Sequence, residues 1–211
     1  RVRLWAFPSS SATVVPHALA LVKRRYPDVV VTFNEAEPPE SLAALRAGEC
    51  DIAVAFTYEG LDLGEIQEDL ESLAVTKLLD DEVRLALPKN HPLAKRKGVS
   101  LDDLSDDPWI AGCPKCRGHL LHLAREAGFA PDVAFETEDY VAVQGLVAEG
   151  LGVALIPDLI LRTTHHPDVV ALPVEPASRR EIFAVTTPDL SRVPAVAATI
   201  DALVEAAKVH G

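Results

Sequence analysis

Two stretches of the chain follow the same plan, and that recurrence constrains the fold more than any single motif. In residues 42–56 an amphipathic helix carrying Leu42, Leu45 and Arg46 runs to Gly48. It gives way to the apolar run Asp51-Ile52-Ala53-Val54-Ala55-Phe56. In residues 139–157 a helix carrying Val143, Leu146 and Val147 runs to Gly150, and Gly152-Val153-Ala154-Leu155-Ile156-Pro157 follows. A glycine that closes a helix just ahead of a short apolar strand marks an α/β unit. Two such units predict two similar α/β lobes with a cleft between them, where small molecules bind.

The flanking segments extend the pattern. Val2-Arg3-Leu4-Trp5-Ala6-Phe7 reads as a strand closed by Pro8. Ser9-Ser10-Ser11 offers N-caps to a helix through Tyr26, with Val15, Leu19, Val22 and Tyr26 at helical spacing. Residues 29–33 form a β-branched strand, the second helix follows Pro38-Pro39, and 52–56 is the third strand. Strand, helix, strand, helix, strand predicts a parallel sheet with crossovers. Residues 57–71 read as an acidic loop. Runs 73–79 and 83–87 read as two strands parted by Asp80-Asp81-Glu82, which marks the passage from the first lobe to the second and reads as exposed charge.

Further strands are expected at 109–111, 133–136, 169–174 and 181–186. A capped helical turn is expected at 100–104, a loop at 112–118 leading into a helix to Gly128, and a last helix over 194–208. Trp5 and Trp109 fall on strands in apolar surroundings and read as core. His165-His166 reads as a solvated turn before Pro167.

Composition excludes several classes. The 211 residues carry a formal charge of −12, the wrong sign for gripping nucleic acid, which takes a basic face to displace counterions. No apolar run approaches the roughly 20 residues that span a bilayer. Three cysteines are too few for a secreted disulfide framework, which points to the cytoplasm. The chain has no Met and opens Arg-Val-Arg straight into a strand, so its natural N-terminus is expected upstream.

Ser9, Ser10 and Ser11 lie between the carboxyl end of a strand and the amino end of a helix. That is the ligand position of an open α/β sheet, and also where plain capping places serine. Cys113-Pro114-Lys115-Cys116 occupies the matching place in the second lobe, ahead of Arg117, His119 and His122. Three readings of it stand. One is a turn with small free cysteines, where Lys115 and Arg117 lend positive potential; the others are a reversible disulfide and a metal set. The first accounts for the residues most simply, because ligands at every third position cannot easily converge on one ion. No nucleophile elbow, phosphate loop, dinucleotide fingerprint or zinc-protease motif is present, so the chain reads as a binder and not an enzyme, with no cofactor, metal or catalytic residue.

Taken in order, these stretches resemble a known family. Leu42-Ala43-Ala44-Leu45-Arg46-Ala47-Gly48-Glu49-Cys50-Asp51-Ile52-Ala53 is similar to the helix-to-strand passage of LysR-type transcriptional regulators. Leu79-Asp80-Asp81-Glu82-Val83-Arg84-Leu85-Ala86-Leu87-Pro88, with His91-Pro92-Leu93-Ala94, resembles that family's crossing into its second subdomain. Ser100-Leu101-Asp102-Asp103-Leu104 and the stretch from Val147 to Pro157 add two more resemblances.

The resemblance covers the C-terminal effector-binding domain. It implies an α/β fold like that of type 2 periplasmic binding proteins, two Rossmann-like lobes joined by two crossing strands. Subdomain I would comprise 1–79 and 183–211, and subdomain II 80–182. The DNA-binding winged helix-turn-helix would lie upstream of Arg1. Carried over by position, a small-molecule effector would meet Ser9, Ser10, Ser11, Pro38, Phe56 and Thr57 of the first lobe. Cys113, Pro114, Lys115 and Thr137 of the second would meet it too. The apolar Phe56 stands where some members place a polar or charged side chain, which argues against a strongly charged effector. The family also implies a homodimer through this domain, a tetramer at full length, DNA contact only through the missing domain, and no membrane partner. Two rival readings remain: a free-standing solute receptor of the same fold, and a thiol or metal sensor using Cys113 and Cys116.

Overall fold

Alternation and helical periodicity build two compact units, Arg1–Asp81 with Arg180–Gly211, and Glu82–Arg179. The computed structural model describes residues 1–59 and 70–211, so most of the acidic stretch expected as a loop, residues 60–69, lies outside the described residues. In the first unit β1 (Val2–Ala6) lies between β2 (Val31–Glu35) and β3 (Ile52–Tyr58) and runs parallel to both. The second strand begins two residues later than its apolar content suggested, because pairing with β1 sets its register, Val2 against Val31. The end of a long strand, β9 (Val169–Thr186), joins β3 antiparallel, from Ala53 against Val185 to Tyr58 against Arg180.

Helices α1 (Pro8–Ser11), α2 (Val14–Arg25), α3 (Pro38–Arg46) and the C-terminal α7 (Pro194–His210) complete this unit. Helix α2 packs along α7, and Arg25 meets Glu205 at 2.6 Å across that seam. Leu42, Leu45, Cys50, Ala53, Ala55 and Val185 form one of its cores.

In the second unit β4 (Ala74–Pro88) pairs antiparallel with β8 (Ala154–Pro157) through Val83 to Ala86. The short β5 (Val99–Ser100) lies along the first half of β9, and a 3-10 turn, Leu101–Leu104, follows it. β6 (Pro108–Ala111) and β7 (Asp132–Glu136) form a parallel pair. The helices are α4 (Pro114–Glu126), α5 (Tyr140–Ala148) and α6 (Asp158–Leu161). Trp109 is fully buried among Leu85, Leu101, Leu104 and Leu120 and donates its indole N–H to the Leu104 carbonyl at 3.3 Å.

The repeated glycine is used alike in both units. After α3, Gly48 (φ 71°) donates to the Leu45 carbonyl and Glu49 to that of Ala44. After α5, Gly150 (φ 74°) donates to Val147 and Leu151 to Leu146. Each is a Schellman closure, whose left-handed residue is cheap only for glycine.

Two expected breaks do not exist. Residues 73–79 and 83–87 are one strand, because inward and outward positions keep alternating through the acidic run. Asp80 and Glu82 face outward, toward Lys77 at 2.9 Å and Arg84 at 3.0 Å, whereas Asp81 faces inward and is 4% exposed. The reading of this acidic pair as exposed charge is therefore wrong for Asp81. Likewise 169–174 and 181–186 are both parts of β9.

At the start of the chain the serines cap nothing. The helix begins at Pro8, whose fixed φ suits the first helical position, so the serines lie inside the first turn. Ser10 and Ser11 return their hydroxyls to the Phe7 carbonyl at 2.8 and 2.9 Å. Thr13 spends its own on the Ser9 carbonyl at 2.7 Å, where α1 ends before α2. The expected loop at 112–118 is likewise mostly helix, again opened by a proline, Pro114.

Two consequences are measurable. Asp51 is buried, which pushes its carboxyl up. The Arg3 guanidinium at 2.6 Å and the Arg3 backbone N–H at 2.7 Å outweigh that and hold it below the ordinary carboxylate range. Since folding depresses this pKa, the contribution is whole above about pH 4 and fades as pH falls through the folded value. In urea titrations Asp51→Asn is expected to cost about 1–2 kcal/mol at neutral pH, allowing for the exposure of Arg3, with the gap closing below about pH 4. Gly152 touches backbone: a Cβ there would stand 2.8 Å from the Pro108 carbonyl oxygen and 3.1 Å from Ile110. Gly152→Ala is expected to cost about 1–3 kcal/mol in the same assay, the usual penalty for overpacking.

Candidate functional site

In the first unit the candidate residues gather at one sheet edge, because parallel strands present all their carboxyl ends together. Chain leaving β1 enters α1 with Ser9, Ser10 and Ser11, chain leaving β2 enters α3 at Pro38, and Phe56 and Thr57 lie near the end of β3. The hydroxyls of Ser9 and Ser10 are buried, Pro38 is buried at the first position of α3, and Ser11 and Thr57 are half-buried.

Behind this edge lies a charged group that sequence reasoning missed. β9 enters antiparallel, which places Arg180 opposite Tyr58. Its guanidinium is 1% exposed and donates from Nε to Asp81 Oδ2 at 2.8 Å and from Nη2 to Ser9 Oγ at 2.6 Å. The same guanidinium lies 5.1 Å from the Phe7 ring centroid and 4.9 Å from that of Phe56. The two rings meet edge to face at 4.7 Å, and Tyr58 extends the stack at 5.5 Å from Phe56. Cation–π contact of this kind is strongest where water is excluded. The apolar Phe56 thus seats a buried cation whose charge is met by Asp81. The signal that could have found it was the lone inward acid of β4, which demands a basic partner.

In the second unit the same geometry recurs on β6 and β7. Cys113, Pro114 and Lys115 follow β6, Thr137 follows β7, and the Thr137 N–H donates to the Ala111 carbonyl at 3.0 Å. An open pocket of about 480 Å³ lies here, lined by Gly112, Pro114, Arg117, Leu121, Glu136 and Thr137 among others. Arg117 pairs with Glu136 at 2.6 Å across it. Pro114 is exposed, and Lys115 and Thr137 are half-buried.

The reading of Cys113 and Cys116 as free thiols in a turn is corrected, since the two are joined as a disulfide in the first turn of α4. Cys113 Sγ also accepts the Cys116 N–H at 3.1 Å, serving as the helix cap. The metal set dissolves with this pairing, because bonded sulfurs offer no thiolate. His119 is buried instead against the Ser178 hydroxyl at 2.6 Å. Among the described residues no group of three or more His, Cys, Asp or Glu is arranged to hold a metal, and no helix is long and apolar enough to cross a membrane.

The remaining cysteine, Cys50, is buried without contact with solvent. Burial first, and the Asp51 carboxylate second, push its thiol up to about 12. The native protein is therefore expected to show no thiol reacting with a disulfide reagent near pH 8, one thiol after denaturation, and three after reduction and denaturation. Two reactive thiols in the untreated native protein would contradict this pairing.

Comparison with known proteins gives one answer. Residues 1–208 match the LysR substrate binding domain family. The transcriptional dual regulator GltC of Bacillus subtilis strain 168 is 31% identical over 173 residues, covering 80% of this chain and 55% of GltC. The chain thus spans about half the length of the curated relatives it matches. Among solved structures, the C-terminal domain of a probable LysR family regulator from Rhodococcus sp. RHA1 superposes with a TM-score of 0.81 at 26% identity, covering 96% of this chain and 97% of that one. The effector-binding domain of QuiR in complex with shikimate shares the fold, with a TM-score of 0.76 at 21% identity and 99% and 97% coverage. This chain belongs to the LysR substrate-binding domain family and has its α/β fold, that of type 2 periplasmic binding proteins.

Proposed function

We propose that this chain is the effector-sensing part of a cytoplasmic DNA-binding regulator, and that it is not an enzyme. A small molecule is contacted by Ser11 and Thr57 at the carboxyl edge of the first unit's parallel strands. Pro114, Lys115 and Thr137 contact it at the carboxyl edge of β6 and β7. The supporting observation is that each unit collects helix starts and half-buried polar side chains at such an edge. The half-buried hydroxyls of Ser11, Thr57 and Thr137 suit a ligand bearing polar oxygens. Ser9, Ser10, Pro38, Phe56 and Cys113 are buried and belong to the layer beneath.

DNA contact is assigned to a domain outside this acidic chain, whose charge of −12 is the wrong sign for a phosphate backbone. The regulator works as a homodimer through this domain and as a tetramer at full length. The effector acts only by its difference in affinity between two arrangements of that assembly.

A thermal-shift panel of shikimate, benzoate, dicarboxylates and amino acids at about 1 mM tests the reading. A compound binding at about 0.1 mM stabilises by about 1.4 kcal/mol, which moves the midpoint of a chain this size by about 3–5 °C. Thr57→Val and Thr137→Val are each expected to weaken that compound about fivefold, one neutral hydrogen bond apiece. Full affinity in both variants would remove these residues from the site.

A further inference from the structure

Arg180 is the one fully buried cation among the described residues, and nothing in the effector reading uses it. It sits where four segments converge. Asp81 and Arg180 are the residues at which the chain leaves and re-enters the first unit. Ser9 and Phe7 belong to the passage from β1 into α1, and Phe56 lies near the end of β3. A single guanidinium reaches all of them, by hydrogen bonds to Asp81 at 2.8 Å and Ser9 at 2.6 Å and by its face on both rings.

We infer that Arg180 is a positioning residue of the effector site, holding the passage from β1 into α1 in its binding shape through Ser9. Stability alone does not call for this group. Burying an ion pair costs desolvation, and well-packed apolar residues often serve as well or better. What apolar residues lack is direction. The planar guanidinium fixes Asp81, the Ser9 hydroxyl and the two rings in one geometry. The Ser9 oxygen accepts from Arg180, so this serine supports the site from beneath, and Ser11 is the serine of the passage with solvent contact. Ser10 and Ser11 turn back onto the carbonyl of Phe7, the residue whose ring the same guanidinium faces.

The inference rests on the reading that this passage touches the effector, yet its test contains no effector. An empty thermal-shift panel and a failure here are therefore distinguishable. Hydrogen–deuterium exchange is followed at the amides of Ser11, Ala12 and Thr13, which donate to Phe7, Pro8 and Ser10. Arg180→Met combined with Asp81→Leu removes both charges and leaves no buried ion behind. In that variant these amides are expected to exchange about tenfold faster, while α7 and β1 keep their wild-type rates. Ser9→Ala leaves the ion pair in place and is expected to accelerate the same amides about threefold, which decides the matter if the double variant does not fold. Unchanged exchange at these three amides, or acceleration shared equally with α7, would show that Arg180 only fills space and would overturn the inference.

Discussion

A cation without access to water must be answered from every side, and in this chain that demand organises the first unit. The Arg180 guanidinium is met by the Asp81 carboxylate, the Ser9 hydroxyl and the faces of Phe7 and Phe56. Removing Asp81 strips the buried guanidinium of its counter-charge in a medium that solvates it poorly. The partners come from widely separated places in the sequence. The unit can therefore satisfy the charge only when β1, β3, β4 and β9 are all in register.

The carboxyl edge that carries the proposed contacts follows from simpler physics. Parallel strands deliver their carboxyl ends to one side, and the connections leaving β1, β2 and β6 each start a helix. Pro8, Pro38 and Pro114 open those helices at the first position, where a missing N–H costs nothing. Half-buried hydroxyls at Ser11, Thr57 and Thr137 stand beside them. Family membership places this chain among the LysR substrate-binding domains, whose fold is built on the same sheet logic.

Much of the architecture was legible because it is periodic. Helices ending at Gly48 and Gly150, the parallel pairing of β1 with β2 and β3, and a buried Trp109 all follow from local pattern. The misreadings share a cause. Asp80-Asp81-Glu82 looks like a break by composition, but a strand cares about parity, and parity sends only Asp81 inward. Three serines before a helix look like caps until Pro8 starts the helix earlier. Cys113 and Cys116 have the spacing of a turn, a redox pair or a metal set alike, and only the first turn of α4 brings the two sulfurs together as a disulfide. Arg180 carried no local signal, since its partners are all remote.

By itself the sequence determined what depends on neighbours along the chain. The two α/β units, the glycine closures and the placing of Ser9, Pro38, Thr57, Cys113 and Thr137 near strand carboxyl ends all belong to that class, because hydrophobic periodicity and helix ends are short-range effects. The tertiary structure alone decided which polar side chains face inward and whom they meet. It made Asp81 a buried counter-ion, drew Ser9 beneath the surface and gave Phe56 a cation to cover. Strand pairing across long sequence separations sets those meetings, and pairing answers to the burial of the whole unit and not to any local preference.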